Sequence, residues 1–274
     1  MSDAFETIAA ATADGVYTIT LNRPDAMNAY SEAMAKELQA ALKVAQRDDE
    51  IRCLVLTGAG RAFSAGQDLQ EIKACYNGDA PPLDFGKHLR KQYTPLITKL
   101  MTLEKPIIAA VNGIAAGAGA SFAFACDLRV AAENAAFLMA FVNIGLIPDS
   151  GATQTLIRHL GYGRAAELCM LGEKLSAEDA LKWGLVNRVV PAEKLQEETH
   201  ALAKKLASMP TRAIGLTKRA LNHAYRATLD EQLEYEAFLQ GTAGQTGDHI
   251  EGVKAFLEKR KPTFTGKLSV THIR

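Results

Sequence analysis

The chain has 274 residues, 48% hydrophobic and 23% charged, enough to bury a sizeable core as one large domain or one domain with an appendage. Lysine plus arginine number 31 and aspartate plus glutamate 31, so no global field draws in nucleic acid or an anionic membrane. Cys53, Cys75, Cys126 and Cys169 form no CxxC pair, which argues against a zinc site or a disulfide framework and points to buried free thiols in a reducing compartment.

The opening MSDAFETIAAATADG has no basic region followed by an apolar core, and no apolar run reaches membrane-spanning length, so a cytoplasmic location is expected. GVYTITLNRP alternates as a strand and is stopped by Pro24. SEAMAKELQAALKVAQRDD places Met34, Leu38, Ala41, Leu42 and Ala45 three and four apart behind Ser31, the pattern of an amphipathic helix with a side-chain cap. A buried strand, IRCLVLTG, follows.

A unit then recurs: a β-rich run, a glycine turn and a helix-like segment. It occurs in CLVLTGAGRAFSAGQDLQEI, in KPIIAAVNGIAAGAGASFAFACD and in LRVAAENAAFLMAFVNIGLIPDSGATQTLIRHLG. The periods are irregular, so an α/β layered core is favoured over a short-period solenoid. Residues 76–86, YNGDAPPLDFG, read as a mobile surface loop, and the 76–100 segment as the part that shapes a pocket. From about residue 192 the strand signals fade into four helical segments, which divides the chain into a core, 1–191, and a helical region, 192–274.

Two turns are candidates for chemistry. In GRAFSAGQDL, Ser64, Ala65 and Gly66 open from a buried strand toward a helix, and in NGIAAGAGASFAFACD, Gly113, Gly117 and Gly119 do the same. Small residues admit a close approach, and unpaired N–H groups at a helix start can receive an anion or a polarised carbonyl oxygen. A plain strand-to-helix turn and tight helix packing explain the two stretches equally simply. A convergent pair of such turns is, however, what stabilises a developing oxyanion.

Other motifs fail. GAGRAF and GAGASF lack the third glycine of a dinucleotide fingerprint, and GASFA is one residue short of a nucleophile elbow, leaving Ser121 a poor nucleophile. His88, His159, His200, His223, His249 and His272 form no i, i+4 metal pair, so no metal is expected, and they read as surface or core histidines. That leaves Asp149 in GLIPDSGATQTL, ahead of a helical run. It reads either as a helix cap or, because apolar residues surround it and no cation stands nearby, as a desolvated carboxylate suited to proton transfer.

Taken in order, LNRPDAMNAYS, LTGAGRAFSAGQDL, KPIIAAVNGIAAGAGASFAFACDLRVAAENAAF, GLIPDSGATQTLIRHLG, LSAEDALKWGLVNRVV and EGVKAFLEKRKPTF resemble the crotonase, or enoyl-CoA hydratase/isomerase, superfamily across nearly the whole chain. The resemblance implies a spiral of ββα units with a C-terminal helical trimerisation region, assembled as a trimer or a dimer of trimers. It implies an acyl-CoA thioester as ligand, coenzyme A arriving as part of the substrate, with no separate cofactor. By motif position the oxyanion hole falls on the main-chain N–H groups of Gln67 and Ala118. Coenzyme A would lie against Arg23, Met27, Ala65, Gly66, Gln67, Asp68 and Leu69, with Phe256 and Lys259 from a neighbouring subunit.

Hydratases of this family hold a water between two glutamates, whose positions here carry Ser121 and Phe141. Asp149 instead matches the aspartate of the isomerase branch, and GAGRAFSAGQDL, AAGAGA and MAFVNIGLIPDSG resemble its ring-1,2-epoxyphenylacetyl-CoA isomerases. The expected function is therefore proton shuttling on a thioester enolate, in epoxide-ring or Δ3-to-Δ2 double-bond isomerisation. Hydration is the alternative, and a non-catalytic acyl-CoA-binding protein a distant one. Dehalogenation of aromatic acyl-CoA also uses an aspartate here, but its pattern needs a tryptophan at Phe141 and a histidine near Thr94.

Overall fold

Between residues 53 and 138 successive strands are dealt alternately to two sheets in the structure, a computed structural model that describes residues 5–267. β1 (Ile8–Ala13) and β2 (Val16–Leu21) form an antiparallel hairpin through Asp14 and Gly15, both at positive φ, as an Asp-Gly hairpin turn requires. A 3-10 turn at Pro24–Ala26 leads to α1 (Glu32–Arg47), where the Ser31 hydroxyl accepts from the Met34 N–H at 3.1 Å. The cap and the buried stripe of Met34, Leu38, Ala41, Leu42 and Ala45 are those predicted.

Three ββα units follow. β3 (Cys53–Gly58) and β4 (Ala62–Ser64) precede α2 (Leu69–Asn77) and α3 (Phe85–Thr102). β5 (Ile107–Val111) and β6 (Ile114–Ala116) precede α4 (Ala118–Ala125), and β7 (Leu128–Ala132) and β8 (Ala136–Leu138) precede α5 (Ala152–Leu171). The chain then runs through β9 (Lys174–Ser176), α6 (Ala177–Lys182) and β10 (Arg188–Val190). The larger sheet has the order β1-β2-β3-β5-β7-β10 and the smaller β4-β6-β8-β9, so each unit gives its first strand to one sheet and its second to the other. Every pairing is parallel except β1 with β2 and β8 with β9. This is the predicted spiral. Parallel strands covered on both faces need no polar side, which is why CLVLTG and IIAAV are buried along their whole length.

Among its described residues the tail forms α7 (Leu195–Ala207), α8 (Thr211–Ala224), α9 (Leu229–Gly244) and α10 (Gly247–Leu257), four helices where four were read. The boundary drawn at 192 falls just before α7, whose Leu195, Thr199, Ala203 and Ala207 are buried against β2, β3, β5 and β7. No helix among the described residues is long and apolar enough to cross a membrane. All four cysteines are free thiols, Cys53 and Cys126 buried and Cys75 and Cys169 half-buried.

One difference from the sequence reading bears on the site. The 76–86 stretch is not all surface loop: Asp84 caps α3, its Oδ1 accepting from the Lys87 N–H at 2.8 Å, and the helix then runs through Pro95. Tyr93, Leu96, Ile97 and Leu100, at helical spacing, bury enough apolar surface to hold a helix whose proline reads as a breaker.

α4 is the element on which the site depends. All eight of its residues are buried, and the buried Arg129 guanidinium closes its C-terminal end by donating to Cys126 O at 2.7 Å and Phe124 O at 3.3 Å. Its first turn presses on the end of β4. A methyl on Gly119 would stand 2.6 Å from Ser64 O and 2.7 Å from Ser64 Cβ, inside any real contact. Gly119→Ala is expected to lower unfolding free energy by about 1–3 kcal/mol, the usual cost of overpacking, in urea titrations. An unchanged midpoint would show that β4 and α4 can separate freely.

Candidate active site

The RPDAMN turn frames the first candidate loop. Met27 and Asn28 are consecutive left-handed residues, and the buried Asn28 side chain donates to Ala59 O at 2.9 Å and Ala62 O at 2.8 Å while accepting from the Arg23 N–H at 2.9 Å. Ser64 Oγ donates to Asn28 O at 2.8 Å. The loop is thus laced to its frame through Ala65 N to Met27 O at 2.9 Å, Tyr30 N to Gly66 O at 2.7 Å and Asp68 N to Tyr30 O at 2.9 Å. In extended chain, alternate N–H groups point to opposite sides. Because Asp68 N turns toward Tyr30, Gln67 N turns away from it, and it meets no acceptor among the described residues.

The second loop brings a matching donor. Gly117, at φ 51° and ψ −124°, takes a conformation reserved for glycine and starts α4, so the Ala118 N–H precedes the first intrahelical bond and has no acceptor among the described residues. The two loops touch. A methyl built on Gly66 would stand 3.4 Å from Ala118 N and 2.8 Å from Ala116 O, so only glycine at 66, with its φ of 90°, allows this approach.

Both donors open on one cavity of about 200 Å³ lined by Ala65, Gly66, Gln67, Leu69, Gly117, Ala118 and Asp149. Leu83, Phe85, Leu89, Phe141 and Leu146 are among its apolar walls, so the 76–86 segment is a wall of the site as well as a loop. Asp149 is its sole carboxylate among the described residues. The helix-cap reading of Asp149 is overturned: the cap of α5 is Gly151, and Asp149 contributes only its carbonyl, which accepts from Ala152 N at 3.0 Å. Its Oδ1 is buried without a partner among the described residues. Burial raises its pKa, opposed by the neighbouring Ser150 hydroxyl. Ser150 and Gly151, at φ 53° and 78°, form the tight turn that aims the carboxylate inward, and for a serine this conformation costs roughly 1–3 kcal/mol.

Ser121 and Phe141 occupy the two flanking positions in forms that perform no acid–base chemistry. Ser121 is fully buried, with Oγ 3.2 Å from both Gly117 O and Asp149 O, so it ties α4 to the aspartate loop. It does not line the cavity, and the nucleophile reading falls. The Phe141 ring packs toward Gly117, its Cζ 3.9 Å from where a Cβ would sit.

The remaining expected coenzyme A contacts divide. Arg23, Met27 and Asp68 do not line the cavity: Arg23 pairs with Asp68 at 2.8 Å and donates to Ala29 O at 2.7 Å, and Asp68 caps α2 by accepting from Gln70 N at 3.0 Å. Phe256, on α10, and Lys259, just beyond it, are exposed, and neither lines the cavity. Among the described residues no three His, Cys, Asp or Glu side chains gather as a metal would need.

Two residues of the site escaped the sequence reading. His88, taken for a surface or core residue, and Tyr93 both line the cavity. Burial lowers the pKa of His88 and raises that of Tyr93, which the nearby Asp149 charge raises further. The missed signal was periodic: Phe85, His88, Leu89 and Tyr93 lie on one face of α3 once the segment is seen to be helical.

Comparison with known proteins places the chain in a family. The family model described as Enoyl-CoA hydratase/isomerase matches residues 11–267. A 1,2-epoxyphenylacetyl-CoA isomerase of Escherichia coli K12 is 49% identical, over 92% of this chain and 96% of its own. A probable enoyl-CoA hydratase of Rhodobacter capsulatus is 44% identical, over 96% of this chain and 99% of its own. Among solved structures, an enoyl-CoA hydratase from Bacillus anthracis superposes with a TM-score of 0.89 at 36% identity, covering 96% of this chain and 100% of its own. With two backbone donors and one half-buried carboxylate lining a single cavity on a spiral of ββα units, the chain belongs to the enoyl-CoA hydratase/isomerase, or crotonase, family of enzymes.

Proposed function

We propose that this enzyme isomerises an acyl-CoA thioester, with Asp149 as the acid–base group and the N–H groups of Gln67 and Ala118 as donors to the thioester oxygen. The observation that carries this reading is the single, half-buried carboxylate lining the cavity, its Oδ1 buried without a partner among the described residues, where the two hydratase glutamate positions hold Ser121 and Phe141. Asp149 removes a proton from the carbon next to the carbonyl, the enolate oxygen is held by the two donors, and the same carboxyl returns the proton further along the acyl chain. Double-bond migration from the 3- to the 2-position needs only these steps. Rearrangement of a ring-1,2-epoxyphenylacetyl thioester is the second candidate, favoured by the name of the 49% identical Escherichia coli relative and by aromatic walls at Phe85, Tyr93 and Phe141. Coenzyme A arrives with the substrate, and no resident cofactor takes part. The exposed positions of Phe256 and Lys259 support a role across subunits of a trimer or dimer of trimers.

Asp149→Asn is expected to lower isomerisation of 3-enoyl-CoA, followed by absorbance of the conjugated product, by about two to four orders of magnitude while leaving acyl-CoA binding intact. Full activity in that variant would sink the assignment. The Rhodobacter capsulatus relative keeps hydration as the competing reading. Rapid hydration of crotonyl-CoA that survives Asp149→Asn would favour it.

The direction of the Asp149 pKa sets two pH dependences. A base must be ionised, so kcat/KM is expected to fall on the acid side at a pH above the ordinary aspartate range; a midpoint inside that range would contradict the buried setting. Stability runs the opposite way. A carboxyl whose pKa is higher folded than unfolded favours the folded state when protonated, and this contribution is lost as pH rises through the folded value. Asp149→Asn is therefore expected to be more stable than the parent at neutral pH, in urea titrations, with the gain vanishing as pH falls below the ordinary aspartate value.

A further inference from the structure

We propose that His88 and Tyr93 are positioning residues that fix the Gln67 oxyanion donor through its side chain, an inference that rests on the acyl-CoA reading of the cavity. Both α3 side chains converge on one atom. His88 Nε2 lies 3.0 Å from Gln67 Oε1, and the Tyr93 hydroxyl donates to the same oxygen. The Gln67 amide nitrogen faces the other way, donating to Asp68 O at 3.2 Å and Tyr30 O at 3.4 Å. This sets the orientation of the amide, because a flip would press its oxygen against two carbonyl oxygens. A carboxamide oxygen only accepts, so His88 carries its hydrogen on Nε2.

The need for such a clamp follows from an asymmetry between the two donors. The Ala118 N–H is held by α4, buried on every side and closed at its far end by Arg129. The Gln67 N–H sits on a single extended bridge residue beside Tyr30, with no helix of its own, one residue before the α2 cap. Tyr93 is a rigid post for it: its ring stands edge-on to Tyr30 at 6.2 Å and to Phe122 at 6.1 Å, and Tyr30 stacks on Phe122 at 4.5 Å. With the amide gripped at both ends, the main-chain N–H on the same Cα is left one direction.

The test is a double-mutant cycle of Tyr93→Phe and Gln67→Ala on 3-enoyl-CoA isomerisation, with the thermal midpoint as the check on folding. Tyr93→Phe is expected to lower kcat about tenfold, part of the roughly 10²–10³ lost when an oxyanion donor is removed, with KM unchanged. In the Gln67→Ala background the same substitution is expected to cost nothing more, since residues acting through one another are not additive. A full further loss, or equal changes in kcat and KM, overturns the clamp. Nitrogen-15 NMR of histidine-labelled parent protein gives a readout that needs no turnover. The His88 ring is expected in the Nε2–H form, and the Nδ1–H form overturns the proposal. Were the parent silent toward 3-enoyl-CoA, the isomerase reading would fail while this measurement still decided the clamp.

Discussion

The site depends on the approach of two backbones that no side chain separates. Gly66 lies against Ala116 O, beside Ala118, and Gly119 lies against Ser64, at distances a Cβ would violate. This contact brings the end of β4 and the start of α4 close enough for N–H groups from two ββα units to face one cavity. The run of alanine and glycine in α4 is its consequence: a helix buried on every side and pressed on a neighbouring turn has room for little else in its first turn. Arg129 at one end of α4 and Asn28 behind the β4 loop satisfy the polar groups that so tight an arrangement would strand.

Against the two donors the protein sets one carboxylate that no cation among the described residues neutralises. A half-buried carboxylate whose Oδ1 lacks a partner among the described residues and an adjoining serine in a left-handed turn both oppose folding, and their placement beside one cavity is the pattern expected where function outranks local stability. The apolar walls make the arrangement effective, because donors and charge act more strongly where water is excluded. Ser121 links the two halves, its hydroxyl within reach of carbonyls from the α4 cap and the aspartate loop. The family position that carries a glutamate in hydration thus serves here as a brace.

Much of the fold was legible in the chain. Ser31 caps α1, the three recurring units are the turns of the spiral, and four tail helices follow as read. Both donor turns and Asp149 were named from their residues, because small residues beside helix starts and a lone carboxylate in apolar surroundings are local signals. The course of residues 85–102 was not legible, since Pro95 within the segment and the Gly, Pro and Asp ahead of it outweigh a buried face that becomes apparent only when α3 packs on α4. His88 and Tyr93 were lost with it.

By itself the sequence determined the alternation of strands and helices, which follows from periodicity, and the two small-residue turns and the lone carboxylate, which follow from local residue chemistry. The family and the placement of the donors on Gln67 and Ala118 came from resemblance of its ordered motifs. Only the tertiary structure decided that Asp149 leaves α5 to a glycine cap and turns its carboxylate into a cavity. It also decided that Ser121 faces main-chain carbonyls, and that Gln67 is gripped from α3, 21 and 26 residues further along the chain. These are questions of direction and distance between segments far apart in sequence. Packing of the ββα turns on one another sets them, and no local pattern records that packing.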